Sequence, residues 1–174
     1  MQYLENDTLK LRALEPEDLG LLYQWENNSE WWHVGNTINP YSKYVLREYI
    51  VNSDKTIYEN KQLRLMIYLK DSNQTIGMID LYDFDPQHNR AGVGILIDEV
   101  FQQKGHAAVA LNLVEKYSFG FLGLHMLYTH IMSDNEPSIQ LFTKQGFKKT
   151  GLLKDWIRKV DNYIDINVYQ LVKE

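Results

Sequence analysis

The segment Ile95–Ala108, ILIDEVFQQKGHAA, carries the residue order that most directly suggests chemistry. An apolar stretch ends, a polar loop follows, and Gly105, Ala107 and Ala108 open what reads as a helix. The leading N–H groups of a helix point into the space before it, and the helix dipole adds roughly half a positive charge there. Small side chains let an anion approach that backbone, so the segment suits a phosphate. It lacks the Gly-Lys-Ser/Thr ending of a P-loop and the G-x-G-x-x-G spacing of a dinucleotide fingerprint. Taken alone, it reads first as an ordinary loop-to-helix joint.

A second cluster, Asp80, Asp83, Asp85 and His88, falls at the end of one strand and in the turn after it. Carboxylates and imidazoles hold or take protons, and Asp80 and Tyr82 share one face if the strand persists that far. Asp83-Phe84-Asp85-Pro86 is equally good turn chemistry. In Trp31-Trp32-His33, paired indoles can wall a pocket, hold an ammonium by cation–π contact, or cap a core. His33, His88, His106, His125 and His130 have no close metal-ligand spacing, so no metal is expected. With no cysteine in the chain, disulfides, thiolate nucleophiles and Cys-type metal sites are excluded.

These residues need elements to position them. Alternating Leu9, Leu11 and Ala13 predict a first strand over Thr8–Leu14. Glu15-Pro16-Glu17-Asp18 then opens a helix, with proline and acids in its first turn. A second helix is expected through Leu46–Val51. Strands follow at Leu63–Leu69 and Thr75–Tyr82 around the turn Asp71-Ser72-Asn73, with a turn-rich Asp83–Asn89. Ala91–Ile97 reads as a strand buried on both faces. A helix starting near Gly105, a strand at Leu124–Ile131 and a helix from Pro137 to Gln145, closed by Gly146, come next. Two last strands are expected at Phe147–Trp156 and Asn162–Val172. The order β-α-α-β-β-β-α-β-α-β-β predicts an α/β domain with a mixed sheet.

The 174 residues suit one domain, with 44% apolar residues to supply a core. The net charge of −5 argues against a nucleic-acid or anionic-membrane partner and is compatible with a cationic small molecule. The N-terminus lacks signal-peptide character, and no apolar run approaches the ~20 residues of a membrane span. A cytoplasmic location is therefore expected.

Gln102-Gln103-Lys104-Gly105-His106-Ala107 resembles the Q/R-x-x-G-x-G/A motif of the GCN5-related N-acetyltransferases. Downstream, Asn135, Ser138, Leu141, Phe142 and Gly146-Phe147 resemble that superfamily's N-x-x-S/A-x-x-L-Y/F-x-x-x-G-F region. Both motifs lie in the superfamily's order, between matching elements. The chain is most similar to the ribosomal-protein-alanine and spermidine N-acetyltransferase branch, whose members open with a Leu-Arg strand and an acidic helix.

The resemblance implies a mixed, mostly antiparallel sheet flanked by helices on both faces, with acetyl-CoA as co-substrate. The strand matching Ile95–Ile97 splays from its neighbour, and the pantetheine arm pairs with the exposed backbone. Residues Ile95, Leu96 and Ile97, together with Asn135 and Ser138, would then hold the arm. Gln102, Gln103, Lys104, Gly105, His106, Ala107 and Ala108 would hold the pyrophosphate. The reaction is direct attack of an amine on the thioester. An alkyl ammonium is only about 1 part in 2,500 neutral at pH 7, so a base is worth up to ~4.6 kcal/mol. Asp80 is the candidate base, and Asp83, Tyr82, Trp31 and Trp32 are candidate acceptor contacts.

Two positions depart from the branch. Phe142 stands where the spermidine enzymes carry the tyrosine thought to protonate the leaving thiolate, leaving Tyr82, Tyr128 or Tyr169 as substitutes. Thr37-Ile38-Asn39-Pro40-Tyr41 lacks the adjacent glutamates of their polyamine allosteric site. The expected acceptor is a cationic small-molecule amine such as a polyamine. The alternatives are a protein N-terminal or lysine acetyltransferase and a non-catalytic acyl-CoA-binding module. A homo-oligomer is compatible with each.

Overall fold

The chain opens on an alternation that fixes its first strand, β1 (Leu9–Arg12), where Leu9 and Leu11 are buried and Lys10 is exposed. Arg12 turns back onto the following 3-10 turn and grips Asp18 with two hydrogen bonds of 2.8 and 2.7 Å. The Asp18 carboxylate is thus buried as half of a bidentate pair, which satisfies it. This pair is the physical content of the Leu-Arg strand and acidic helix start. The computed structural model describes residues 3–32 and 37–174.

Helix α1 (Leu19–Glu26) follows, then α2 (Lys43–Val51) and a single turn, α3 (Ile57–Asn60). Thr56 and Glu59 form a capping box around α3, which is too short for periodicity to reveal. The remaining elements are β2 (Leu63–Leu69), β3 (Gln74–Asp85), β4 (Arg90–Ile97), α4 (His106–Lys116), β5 (Met126–Met132), α5 (Glu136–Lys144), β6 (Lys148–Arg158) and β7 (Tyr163–Val172). One sheet contains all seven strands in the order β1-β2-β3-β4-β5-β7-β6. Every neighbouring pair is antiparallel except β4 and β5. Among the described residues no helix is long and apolar enough to cross a membrane.

The period-2 alternation sorts each strand onto two faces. Leu65, Ile67, Ile79, Leu81 and Val93 face one core, where Ala110, Leu111 and Val114 of α4 cover them. Met66 and Met78 face the other, beneath Leu22 and Trp25 of α1 and Leu46 and Ile50 of α2. Helices therefore flank both faces. Each fully buried Leu or Ile contributes roughly 1.5–3 kcal/mol.

Two sequence expectations change here. Residues 83–85 were expected in a turn, yet β3 runs through Asp85 by means of a bulge between Tyr82 and Asp85. Asp83 takes the strain of that bulge at φ 47. In β4, expected to be buried on both faces, Gly94, Ile95 and Leu96 are only half-buried. The reason is topological. The parallel ladder with β5 consists of Arg90↔Met126, Ala91↔Leu127 and Gly92↔Tyr128, and the two strands separate beyond it.

Helix α4 runs on into a π-helical turn, Tyr117–Phe121. Near this junction the Glu115 Oε1 atom is buried with no hydrogen-bond partner among the described residues. Burial pushes its carboxyl up to about 7, so the fold favours the protonated form. Stability is then unaffected by Glu115 below its ordinary pKa of 4.5, falls as pH rises, and bears the full penalty above pH 7. Glu115→Gln is expected to leave melting at pH 4 unchanged and to raise Tm at pH 8 by ~2–4 °C, read by thermal denaturation across that range.

Candidate active site

The separation of β4 from β5 produces a slot. Gly94 and Ile95 line one side, Thr129 and His130 the other, and Ser138 and Phe142 of α5 close one end. An unpaired strand edge offers N–H and C=O groups to any extended chain laid along it. Of the three β4 residues expected to hold such a chain, Ile95 alone lines the slot, and its side chain also packs against the core covered by α4. Leu96 packs into the core beneath α1, and Ile97 is buried in the other core, so these two can contribute only backbone.

Two residues expected at the slot have structural work there. Asn135 lines it but caps α5, accepting from the Ser138 amide at 3.2 Å. Its Nδ2 donates to no partner among the described residues. The Phe142 ring is 3% exposed and packs edge-on against Phe147 at 5.0 Å. It is core, and it has no proton to give.

At the C-terminal end of β4 the chain enters the expected anion loop. Asp98 caps a 3-10 turn, Glu99–Phe101, by accepting from the Val100 amide at 3.2 Å. Its other oxygen accepts from the Trp25 indole at 2.9 Å, which ties the loop's base to α1. The Gln102 side chain donates to the Ile97 carbonyl at 2.9 Å, so this side chain closes the loop onto the strand. Gln103 and Gly105 both take left-handed backbone, at φ 58 and φ 82. Lys104 folds back, donating to the Val100 carbonyl at 2.9 Å above the Phe101 ring. Helix α4 then begins with no side-chain cap and no acid in its first turn. The leading amides of His106, Ala107 and Ala108 therefore remain suited to an anion.

The face of the sheet beneath α1 and α2 carries the acids. Both oxygens of Asp80 are taken by Arg64, at 2.8 Å from Nε and 2.6 Å from Nη2. Glu26 binds the remaining Nη1, and the guanidinium stacks 5.4 Å from the Tyr49 ring. Burial pulls the Arg64 guanidinium down, but Asp80 and Glu26 outweigh it and hold it above its already high range. The lone pairs of Asp80 thus face the guanidinium fork and not an incoming amine. This geometry replaces the base expected at Asp80 with a positioning ion pair.

Further along β3, Tyr82 lies over Gly92 and Gly94, and a Cβ at Gly92 would collide with its ring. Its edge meets Tyr128 at 5.9 Å, and Tyr128 in turn lies 5.6 Å from the His130 ring. Burial pushes the Tyr82 hydroxyl up, with Tyr128 and Asp83 adding to the shift. Burial and Asp83 do the same to Tyr128. Asp83, Asp85, Arg90 and Tyr128 line a second, open hollow at this end of the sheet. There Asp85 accepts from the His88 amide at 3.0 Å and pairs with Arg90 at 3.2 Å, which is turn chemistry. Asp83 is exposed and left over from that arrangement.

Trp31 packs against the core beneath α1 and α2, and the Trp32 indole donates to the Glu26 carbonyl at 2.9 Å. Neither lines the slot or the hollow. His33 lies outside the described residues. Tyr169 is 6% exposed in the core, so it drops out as a proton donor. Sequence reasoning missed Arg64, Glu26, Trp25 and Asp98, because their pairings join residues distant in the chain. Gly92 and Gly94 carried a readable signal: two glycines alternating within an apolar strand mark a close approach.

A family model described as an acetyltransferase (GNAT) domain matches residues 8–148. The spermidine N(1)-acetyltransferase of Vibrio cholerae is 32% identical over 152 residues, covering 85% of this chain and 83% of its own. A crystal structure of spermidine N-acetyltransferase from Vibrio cholerae in complex with CoA and spermine superposes with a TM-score of 0.85 at 28% identity, covering 96% of each chain. A dodecameric structure of spermidine N-acetyltransferase from that organism matches with a TM-score of 0.80 at 29% identity over 96% of this chain and 95% of that one.

The loop geometry yields a test. A glutamate at residue 105 would be strained at φ 82 and would set a carboxylate against a bound anion. Gly105→Glu is expected to weaken acetyl-CoA binding more than tenfold in titration calorimetry, with far-UV circular dichroism unchanged.

Proposed function

Because the chain belongs to the GNAT acetyltransferase family, we propose that it transfers the acetyl group of acetyl-CoA to a primary amine of a small molecule bearing a second positive charge, such as a polyamine. The observation that carries this reading is the slot between β4 and β5. Strand β4, which forms one side of it, leads at its C-terminal end to an anion-suited helix start and carries at its N-terminal end Arg90 of an acidic, aromatic hollow.

In this reading the loop of residues 102–105 and the first turn of α4 hold the pyrophosphate, and the open edge of β4 orders the pantetheine arm. The thioester then reaches the narrow end of the slot. The acceptor enters from the face covered by α1 and α2. Asp83 holds its distal ammonium, with Tyr128 beside it as an aromatic wall. A charge pair ~4 Å apart is worth about 1–4 kcal/mol between water-like and surface-like dielectric, enough to orient a flexible cation. Arg64, Asp80 and Glu26 brace this face without touching the acceptor. Together they carry one net negative charge, which also favours a cation.

The spermidine enzymes among the relatives support the polyamine type of acceptor, and the net charge of −5 agrees with it. The dodecameric relative supports self-association, to which the exposed Leu152 and Trp156 on edge strand β6 are suited. One observation favours a second reading, an acyl-CoA-binding module without turnover: Phe142 removes the tyrosine that the related enzymes are thought to use as acid.

An acceptor panel of polyamines, aminoglycosides, amino acids and short peptides, followed by thiol release, decides among these readings. Turnover is expected with polyamine-like dications. Asp83→Asn should raise the acceptor KM about tenfold, the equivalent of 1.4 kcal/mol, and leave the acetyl-CoA KM within twofold. Turnover confined to neutral or anionic acceptors, or to peptides, contradicts the proposed substrate class. Acetyl-CoA binding with no release for any amine favours the module.

A further inference from the structure

Phe142 leaves the departing sulfur without the usual donor, and the structure places a different hydroxyl where that sulfur must come. The arm starts at the loop of residues 102–105 and runs back along the open edge of β4 from Ile97 towards Gly94. Three residues of strand span ~10 Å. It cannot go further, because β4 and β5 are hydrogen-bonded neighbours again at Gly92↔Tyr128. The thioester end of the arm therefore stops at Gly94, opposite Thr129 and His130.

Tyr82 occupies this stop. Its ring lies across Gly92 and reaches Gly94, where an added Cβ would sit 3.8 Å from Cε1. The two glycines are what permit it, since any side chain at residue 92 would displace the ring. The ring edge also meets Tyr128, the last β5 residue paired with β4, at 5.9 Å, so the phenol lies across β4 towards the point where β5 diverges. Tyr128 packs against the ring edge and holds it there.

We propose that Tyr82 is a catalytic residue that carries the transferred proton from the attacking nitrogen to the leaving sulfur, filling from β3 the role left vacant at Phe142. This rests on the acetyl-transfer reading above. As the neutral amine attacks, the N–C bond forms and the nitrogen becomes cationic. The tetrahedral intermediate collapses, the C–S bond breaks, and the sulfur's electron pair takes the Tyr82 O–H proton. The phenolate recovers a proton from the cationic nitrogen. One proton has moved from nitrogen to sulfur, and Tyr82 is again neutral. The hydroxyl is protonated at rest, as a donor must be; burial pushes it up, which makes it a weaker acid, and the prompt return of a proton from the cationic nitrogen offsets that cost.

Tyr82→Phe keeps the ring on Gly92 and removes only the O–H. With whichever amine the wild type acetylates, kcat is expected to fall at least tenfold, within the range general acid–base catalysis supplies, while Tm and acetyl-CoA affinity stay unchanged. A selenoester analogue of acetyl-CoA releases a selenolate that needs no proton, so with that donor the deficit should shrink below threefold. A loss smaller than tenfold with acetyl-CoA, or an equal loss with both donors, overturns the assignment. Absence of wild-type turnover with every amine contradicts the acetyl-transfer reading itself, and the inference falls with it.

Discussion

Parallel pairing between β4 and β5 stops after Gly92↔Tyr128, and the rest of the molecule is arranged around that interruption. A buried sheet normally pairs its backbone along the full length of its strands, because unpaired N–H and C=O groups are costly away from water. Here β4 keeps its antiparallel partner β3 through to Gly77↔Ile97, so it is braced along one edge while its other edge is free. Strand β5 is held from the opposite side by β7 along its whole length, Met126↔Val172 to Met132↔Ile166. The slot is therefore the gap between two well-braced half-sheets. It needs no lid or loop to define it.

The bracing explains the placement of the charged side chains. Arg64 and Asp80 face one another across β2 and β3, and Glu26 reaches the same guanidinium from α1. Removing any one member would leave a half-buried charge short of a partner, which is far costlier than the modest net worth of the intact cluster. Trp25 makes a second cross-link from α1, to the residue that caps the turn before the anion loop. Helix α1 thereby bears on both ends of the slot at once. This is a structural route by which the Arg64 cluster and the loop of residues 102–105 are held to one another.

What the sequence revealed followed from local physics. The turn Asp71-Ser72-Asn73 placed β2 at Leu63–Leu69, and the polar-to-small transition at Gly105 located the start of α4. The two motif regions converged on the slot and its loop, because short stretches of backbone with fixed chemistry lie within one strand–loop–helix unit. Asp80 was misread because nothing in its own neighbourhood announces Arg64, sixteen residues away across a hairpin. The tryptophan pair was legible as aromatic bulk, but its place at the core margin depends on how α1 and α2 pack. Tyr82 is the intermediate case. Its face followed from period 2, while its reach to β5 depended on Gly92 and Gly94 on another strand.

Acetyl-CoA is proposed to lie along the open edge of β4, with its pyrophosphate at the first turn of α4. Amide hydrogen exchange with and without acetyl-CoA tests it at the backbone itself. Protection is expected at residues 93–97 and 105–108, where bound ligand would supply the missing hydrogen-bond partners, with β6 and the far end of β7 unchanged. Unaltered exchange at residues 93–97 under saturating acetyl-CoA, or protection confined to the hollow around Asp83, would contradict it.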